Sequence, residues 1–193
     1  MNRNPAAIAL FGTSADPPTH GHRALLEGLL TLYSQVVTWA SDNPLKQHTA
    51  PLTVRIALLK ALVDAIEDPR LSLEQELSSP WTIETLGRAH RRWPGQPLVF
   101  VVGSDLAAQI PRWKNASQVL ASCMLAIAPR QGWPLSEATL AALRDLGASV
   151  ELLPLTIAAS ASSSIRERPE RSEVPPELWP VLLQHNPYGL PQP

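Results

Sequence analysis

Strand-like and helix-like segments alternate along this chain, which predicts an α/β fold: an open parallel sheet with helices on both faces and a small C-terminal helical tail. Three observations carry the expectation. Short continuous apolar runs, AAIALF at 6–11 and PLVFVV at 97–102, read as strands buried on both faces. The segments between such runs repeat apolar residues every three or four positions, as amphipathic helices do. Gly12 and Gly103 end the two apolar runs, and polar loops follow them.

The first strand, at 6–11, leads into the loop GTSADPPTHG. Leu25, Leu26, Leu29, Leu30 and Tyr33 then keep helical spacing, predicting a helix from about 21 to 33. QVVTWA at 35–40 is a second strand, followed by the polar loop SDNPLKQH. Val54, Leu58, Ala61, Leu62 and Ala65 predict a helix over 53–66, with Pro69 beyond its end. LSLEQEL alternates apolar and polar residues, predicting a strand at 71–77, and Pro80 stands near the start of a helix reaching about 92. After the strand at 97–102 come a short helix near 115–121, a strand at 123–128, a helix at 136–146 and a strand at 149–153. The tail is helical at SSSIRER, breaks at Pro169 and resumes after Pro175-Pro176, where Pro180 keeps the last helix short or kinked. The whole reads as one Rossmann-like domain, its α/β body at 1–160 and its C-terminal motif and tail at 161–193.

Composition narrows the function classes. A hydrophobic fraction of 45% is ample for a core. A net charge of −1 gives no global field to recruit nucleic acid or an anionic membrane, so any phosphate site must be local. The single cysteine, Cys123, rules out an internal disulfide framework and fits a reducing, cytoplasmic compartment. The apolar run within residues 1–12 is too short for a signal peptide, and no stretch is long enough to span a bilayer. Oligomeric state is left open, a homo-oligomer included.

In an open parallel sheet, ligands bind beyond the carboxyl ends of the strands. The polar clusters after the strands at 6–11, 35–40 and 97–102 should therefore gather on one edge, bringing the GTSADPPTHGH loop, Lys46 and Asp105 together. Thr19-His20-Gly21-His22 stands at a helix start, where unsatisfied N–H groups face anions and Gly21 admits a phosphate close to the backbone. Alone, the string equally fits a surface loop whose histidines have no task. Ser160-Ala161-Ser162-Ser163-Ser164-Ile165-Arg166 offers hydroxyls and a bidentate cation, though a serine run alone also fits a linker or cap.

Taken together, GTSADPPTHGH and SSSIR resemble the two end signatures of the HIGH-type nucleotidyltransferase superfamily, [HT]-x-G-H and I-S-S-[ST]-x-I-R. Thr19 takes the first motif position, His20 the variable one and His22 that of the histidine. Val102-Gly103-Ser104-Asp105 with Pro111-Arg112-Trp113, SPWTIETL at 79–86, Asn43-Pro44-Leu45-Lys46 and VPPELWPVL are similar to stretches of bacterial nicotinate-nucleotide adenylyltransferases. The likeness runs from residue 8 to about 183.

That resemblance implies transfer of AMP from ATP to nicotinate mononucleotide, giving nicotinate adenine dinucleotide and pyrophosphate in NAD biosynthesis. By resemblance His22 and Thr19 contact the ATP phosphates, while Lys46 and Arg166 neutralise them. Gly12, Ser14, Gly21, Gly103, Asp105, Ser162 and Ser163 line the ATP site, with Asp105 on a ribose hydroxyl. Trp113 stacks on the pyridine ring, and the Trp81 and Thr82 backbone with the Thr82 hydroxyl receives the carboxylate. Mg²⁺ arrives with ATP and needs few protein ligands, so no metal-ligand set is expected. On spacing alone, Trp113 also fits simple packing, Asp105 a turn or cap, and Arg130 a solvated surface position. The chain departs from the family's G-G-T-F-D-P at Thr13, Ser14 and Ala15, and has Leu45, Pro80, Trp81 and Ala161 in place of the usual residues. Two alternatives stay open: a sibling enzyme using nicotinamide mononucleotide or phosphopantetheine, and a catalytically weak nucleotide-binding homologue.

Overall fold

The computed structural model describes residues 6–43, 46–155, 157, 162–168 and 170–191. Its central strand, β1 (Ile8–Thr13), alternates as a two-sided strand must: Ile8 and Leu10 face one layer, Ala9 and Phe11 the other. Around it stand β2 (Gln35–Ala40), β3 (Leu71–Leu73), β4 (Leu98–Gly103), β5 (Met124–Ala128) and β6 (Ser149–Leu152). The six strands are all parallel in the order β3-β2-β1-β4-β5-β6.

Helices α1 (His20–Leu30) and α2 (Leu52–Ile66) cover one face, through Leu25, Leu26 and Leu29 and through Leu58, Leu59 and Leu62. The tail joins that layer: Ile165 of α7 (Ser162–Glu167), Leu182 of α8 (Trp179–His185), Tyr188 and Leu190 are buried in the same cluster. The opposite face is covered by α3 (Thr82–Arg92), α5 (Ala116–Ala121) and α6 (Glu137–Asp145), with the single turn α4 (Ser104–Ala107) directly after β4.

Register decides where a ligand can enter. β1 pairs with β2 as far as Thr13↔Ala40, and β4 with β5 as far as Gly103↔Ala128. Between β1 and β4, however, the pairing stops at Leu10↔Phe100. The two strands part beyond that point, at the place where strand order reverses, and a crevice opens at their carboxyl ends.

Three expectations change. The first strand runs to Thr13 rather than ending near residue 11, because β2 continues to pair with it; Gly12 and Thr13 are sheet residues, not loop. The strand expected over 71–77 stops at Leu73 and gives way to a 3₁₀ turn, Gln75–Leu77. The Gln75 amide takes over the end of the ladder, its Oε1 accepting from Ala40 N–H and its Nε2 donating to Ala40 O, both at 2.9 Å. The first helix ends at Leu30 rather than 33, where the Thr31 hydroxyl donates to Gly28 O at 2.7 Å and closes the turn. Pro44, Leu45, Ser160, Ala161 and Pro169 lie outside the described residues.

Candidate active site

A cavity of about 860 Å³ fills the crevice between β1 and β4. Every residue assigned to the site from sequence lines it: Gly12, Ser14, Thr19, Gly21, His22, Lys46, Trp81, Thr82, Gly103, Asp105, Trp113, Ser162, Ser163 and Arg166. Residues separated by up to 154 positions thus meet on one surface, because they follow strand ends on one edge of the sheet.

His22, in the first turn of α1, is held from two sides. Its Nδ1 accepts the Thr19 N–H at 3.1 Å and lies 2.9 Å from the Thr19 hydroxyl. A neutral ring with Nδ1 accepting carries its proton on Nε2, and Nε2 stands 2.8 Å from Thr13 Oγ1. Burial, with the Arg130 guanidinium adding to it and Asp105 opposing, pushes His22 from 6.5 down to about 4. The imidazole is therefore a fixed, neutral N–H donor at neutral pH. Thr19 is completely buried and its hydroxyl is committed to His22. In this geometry Thr19 orients the imidazole.

The two end motifs are stitched together behind the cavity. Ser162 donates its hydroxyl to Pro17 O and Arg166 Nη1 donates to Asp16 O, both at 2.7 Å. Ser162 thus uses its proton to anchor α7, while Ser163 and Arg166 are exposed beside it. Asp16, 1% exposed, accepts N–H bonds from Thr49 and Ala50 at 2.8 and 3.0 Å and the Tyr188 hydroxyl at 3.0 Å. These bonds pin both the 46–50 loop and the tail, with His48 Nδ1 and Arg166 Nη1 also 3.7 and 3.9 Å from Oδ2. Lys46 is exposed on the rim, its N–H bonded to Asn43 O.

On the β4 side, Asp105 Oδ2 pairs with Arg130 Nη1 at 2.8 Å. A Cβ on Gly103 would come within 2.4 Å of Asp105 Oδ1, so the glycine makes room for that carboxylate. Arg130 is corrected from solvated surface to cavity wall: the ion pair and the Ser104 hydroxyl, which accepts its N–H at 3.0 Å, turn it inward. At the far end, Trp113 meets the Phe100 ring edge-on at 6.1 Å, so it packs on the core and also lines the cavity. Trp81 precedes α3, half-exposed, with Lys114 Nζ 4.7 Å above its ring. Its N–H already reaches the Ser79 hydroxyl at 3.3 Å. The donors left without an intrahelical acceptor at this helix start are those of Thr82 and Ile83.

Sequence reasoning missed Thr13, Trp39, His48, Arg55 and Tyr188. Arg55 is 1% exposed and donates to the carbonyls of Ser14, Ser41 and Ala50 and to Asp42, tying the loop after β1 to both ends of the loop after β2. Its signal was present: Arg55, Leu58, Leu59 and Leu62 fall at i, i+3, i+4 and i+7, the true buried stripe of α2. His48 lies 3.7 Å from Asp16, and burial beside Arg55 lowers its basicity.

Comparison with known proteins agrees with this arrangement. The family model described as cytidylyltransferase-like matches residues 10–168. A protein of Synechocystis named a probable nicotinate-nucleotide adenylyltransferase is 40% identical over 156 residues, covering 76% of this chain and 78% of its own. A protein of the same name from Cereibacter sphaeroides is 32% identical, covering 81% of this chain and 84% of its own. Among solved structures, Plasmodium falciparum nicotinic acid mononucleotide adenylyltransferase complexed with NaAD superposes with a TM-score of 0.75 at 16% identity, covering 96% and 98% of the two chains. With six parallel strands in matching arrangement and its signature residues gathered in one crevice, this chain belongs to the cytidylyltransferase-like family and, within it, to the nicotinate-nucleotide adenylyltransferases.

Proposed function

We propose that the protein transfers AMP from ATP to nicotinate mononucleotide, forming nicotinate adenine dinucleotide and releasing pyrophosphate in NAD biosynthesis. The carrying observation is that one crevice is lined by both phosphate-type groups (His22, Lys46, Arg166, Arg130) and ring-type groups (Trp113, Trp81). An oxygen of the mononucleotide phosphate attacks the α-phosphorus, and the bond from that phosphorus to the bridging oxygen breaks as pyrophosphate leaves. The nucleophile is already anionic, so no general base is needed; the protein's task is alignment and charge stabilisation.

His22 contributes a preorganised neutral N–H, and Lys46 and Arg166 contribute positive charge. Trp113 supplies a ring face for the pyridine. The first-turn N–H groups at Thr82 and Ile83, with the Thr82 hydroxyl, favour a carboxylate, because an amide turns its own NH₂ against a donor. Among the described residues no three His, Cys, Asp or Glu side chains converge. Mg²⁺ would arrive on the ATP phosphates and would neutralise oxygen charge there. Cys123 as the single thiol supports a cytoplasmic setting, and a net charge of −1 supports small-molecule partners over nucleic acid.

The test is pyrophosphate release with ATP and Mg²⁺, comparing nicotinate mononucleotide, nicotinamide mononucleotide and phosphopantetheine. We expect kcat/KM for the acid to exceed that for the amide by about 10²-fold or more. Preference for another acceptor would discard the substrate, and silence with all three would discard the activity.

A further inference from the structure

A cation stands at the start of α3. Lys114 Nζ lies 4.7 Å from the centre of the Trp81 ring, and Trp81 immediately precedes Thr82, the first residue of that helix. Trp81 is one of the chain's departures from the family pattern, and tryptophan is the aromatic residue that holds a cation best. Lys114 follows Trp113, whose ring is seated edge-on against Phe100, so the lysine extends from an anchored position.

The same ammonium stands 3.9 Å from Glu84 Oε1, while the Ser79 hydroxyl donates to Glu84 Oε2 at 2.6 Å. A separation of 3.9 Å is a charge contact, too long for a hydrogen bond, so the donors of Lys114 are not spent on Glu84. Of the two charges, Lys114 lines the cavity and Glu84 does not. A ligand in the crevice meets the positive member of the pair.

We propose that Lys114 is a specificity-determining residue for the acceptor. Its ammonium, carried on Trp81 and offsetting Glu84, favours a mononucleotide with a ring carboxylate over the neutral amide. This rests on the reading above that the first turn of α3 receives the carboxylate. The N–H groups of Thr82 and Ile83 select by hydrogen-bond direction, and Lys114 adds selection by charge. Without it, Glu84 is the only charged side chain at that turn, and it repels an acid while leaving an amide unaffected. Both side chains of the pair are 48% exposed, so water screens the effect and limits it to about fivefold in kcat/KM.

The experiment measures kcat/KM for nicotinate mononucleotide and for nicotinamide mononucleotide at low salt, in the wild type and three variants. Lys114→Met keeps a stem on the indole and removes the charge. Its acid-to-amide ratio is expected to fall about fivefold, through a raised KM for the acid alone. Lys114→Arg should keep the ratio, since a guanidinium stacks on the same ring. Glu84→Gln added to Lys114→Met should recover part of the loss, because the repelling carboxylate is gone. Added salt should erode the wild-type ratio toward that of Lys114→Met. An unchanged ratio in Lys114→Met would overturn the proposal. So would an equal fall for acid and amide, or a loss in Lys114→Arg as deep as in Lys114→Met, because either would show that the lysine only packs. Calorimetric Kd values for the two mononucleotides supply the same ratio where turnover of the amide is too slow to measure. A wild type that neither turns over nor binds the acid ahead of the amide would sink the acceptor reading and this proposal with it. A wild type that prefers the acid, with that preference untouched in Lys114→Met, would sink the proposal alone.

Discussion

His22 and His20 stand two residues apart at the start of α1, yet only His22 is tied into the cavity; His20 is exposed. We expect His22→Ala to lower kcat by about 10²–10³ while the fold survives, since that is the usual cost of one preorganised donor. His20→Ala should stay within about threefold of wild type, and equal effects from the two would refute the motif register. The pH profile follows from the same site. His22 titrates near 4 in the folded chain and near 6.5 unfolded, so the unfolded chain binds more protons between those values. The stability contributed by neutral His22 is complete above about 6.5 and is lost as pH falls toward 4. The rate should therefore show no histidine step between pH 6 and 8 and should decline only as pH approaches 4. At this scale residue types were legible but their hydrogen-bond and ion-pair partners were not. Motif spacing picks out Thr19 and Asp105, but only coordinates reveal that the Thr19 hydroxyl is spent on His22 and the Asp105 carboxylate on Arg130.

Elements follow from hydrophobic periodicity, and their ends follow from side chains that periodicity ignores. The strands at 35–40 and near 98 were legible because both faces are buried. The early end of β3 was not, since a glutamine amide replacing a backbone pair leaves no compositional trace. Gly12 shows the same limit. It reads as a strand terminator, yet it lies within β1, in register with Trp39 of β2, and a Cβ there would meet the indole at 2.7 Å. That ring is 3% exposed and braced by Phe100 at 6.4 Å, so it has little room to yield. Gly12→Ala is expected to destabilise by about 1–3 kcal/mol in urea titration. Adding Trp39→Phe should recover part of the loss; full stability of Gly12→Ala alone would show the contact to be soft.

Across the whole molecule, the parallel sheet and the gathering of strand-end residues were predictable from chain order, because topology dictates which edge a loop reaches. The anchorage of the tail was not, because nothing near Tyr188 signals that its hydroxyl bonds a carboxylate 172 residues earlier. Tyr188→Phe removes one donor to a buried, multiply bonded carboxylate. We expect a loss of about 1.5–3 kcal/mol in urea unfolding, with a raised KM for ATP because Asp16 also fixes the Thr49-Ala50 backbone that follows the cavity-lining residues 46–48. An unchanged urea midpoint would show that the other donors suffice.

That long tether bears on how the protein is made. Asp16 emerges early in synthesis, while the residues that satisfy it, Arg166 and Tyr188, are translated near the other end of the sequence. Until they arrive, the loop carrying Asp16 lacks two of its restraints and the wall contributed by Ser162 and Ser163 is absent. Nucleotide capture is therefore expected only once residues 162–188 have been made, and a fragment ending before Ser162 should bind ATP more weakly than the whole chain in calorimetry.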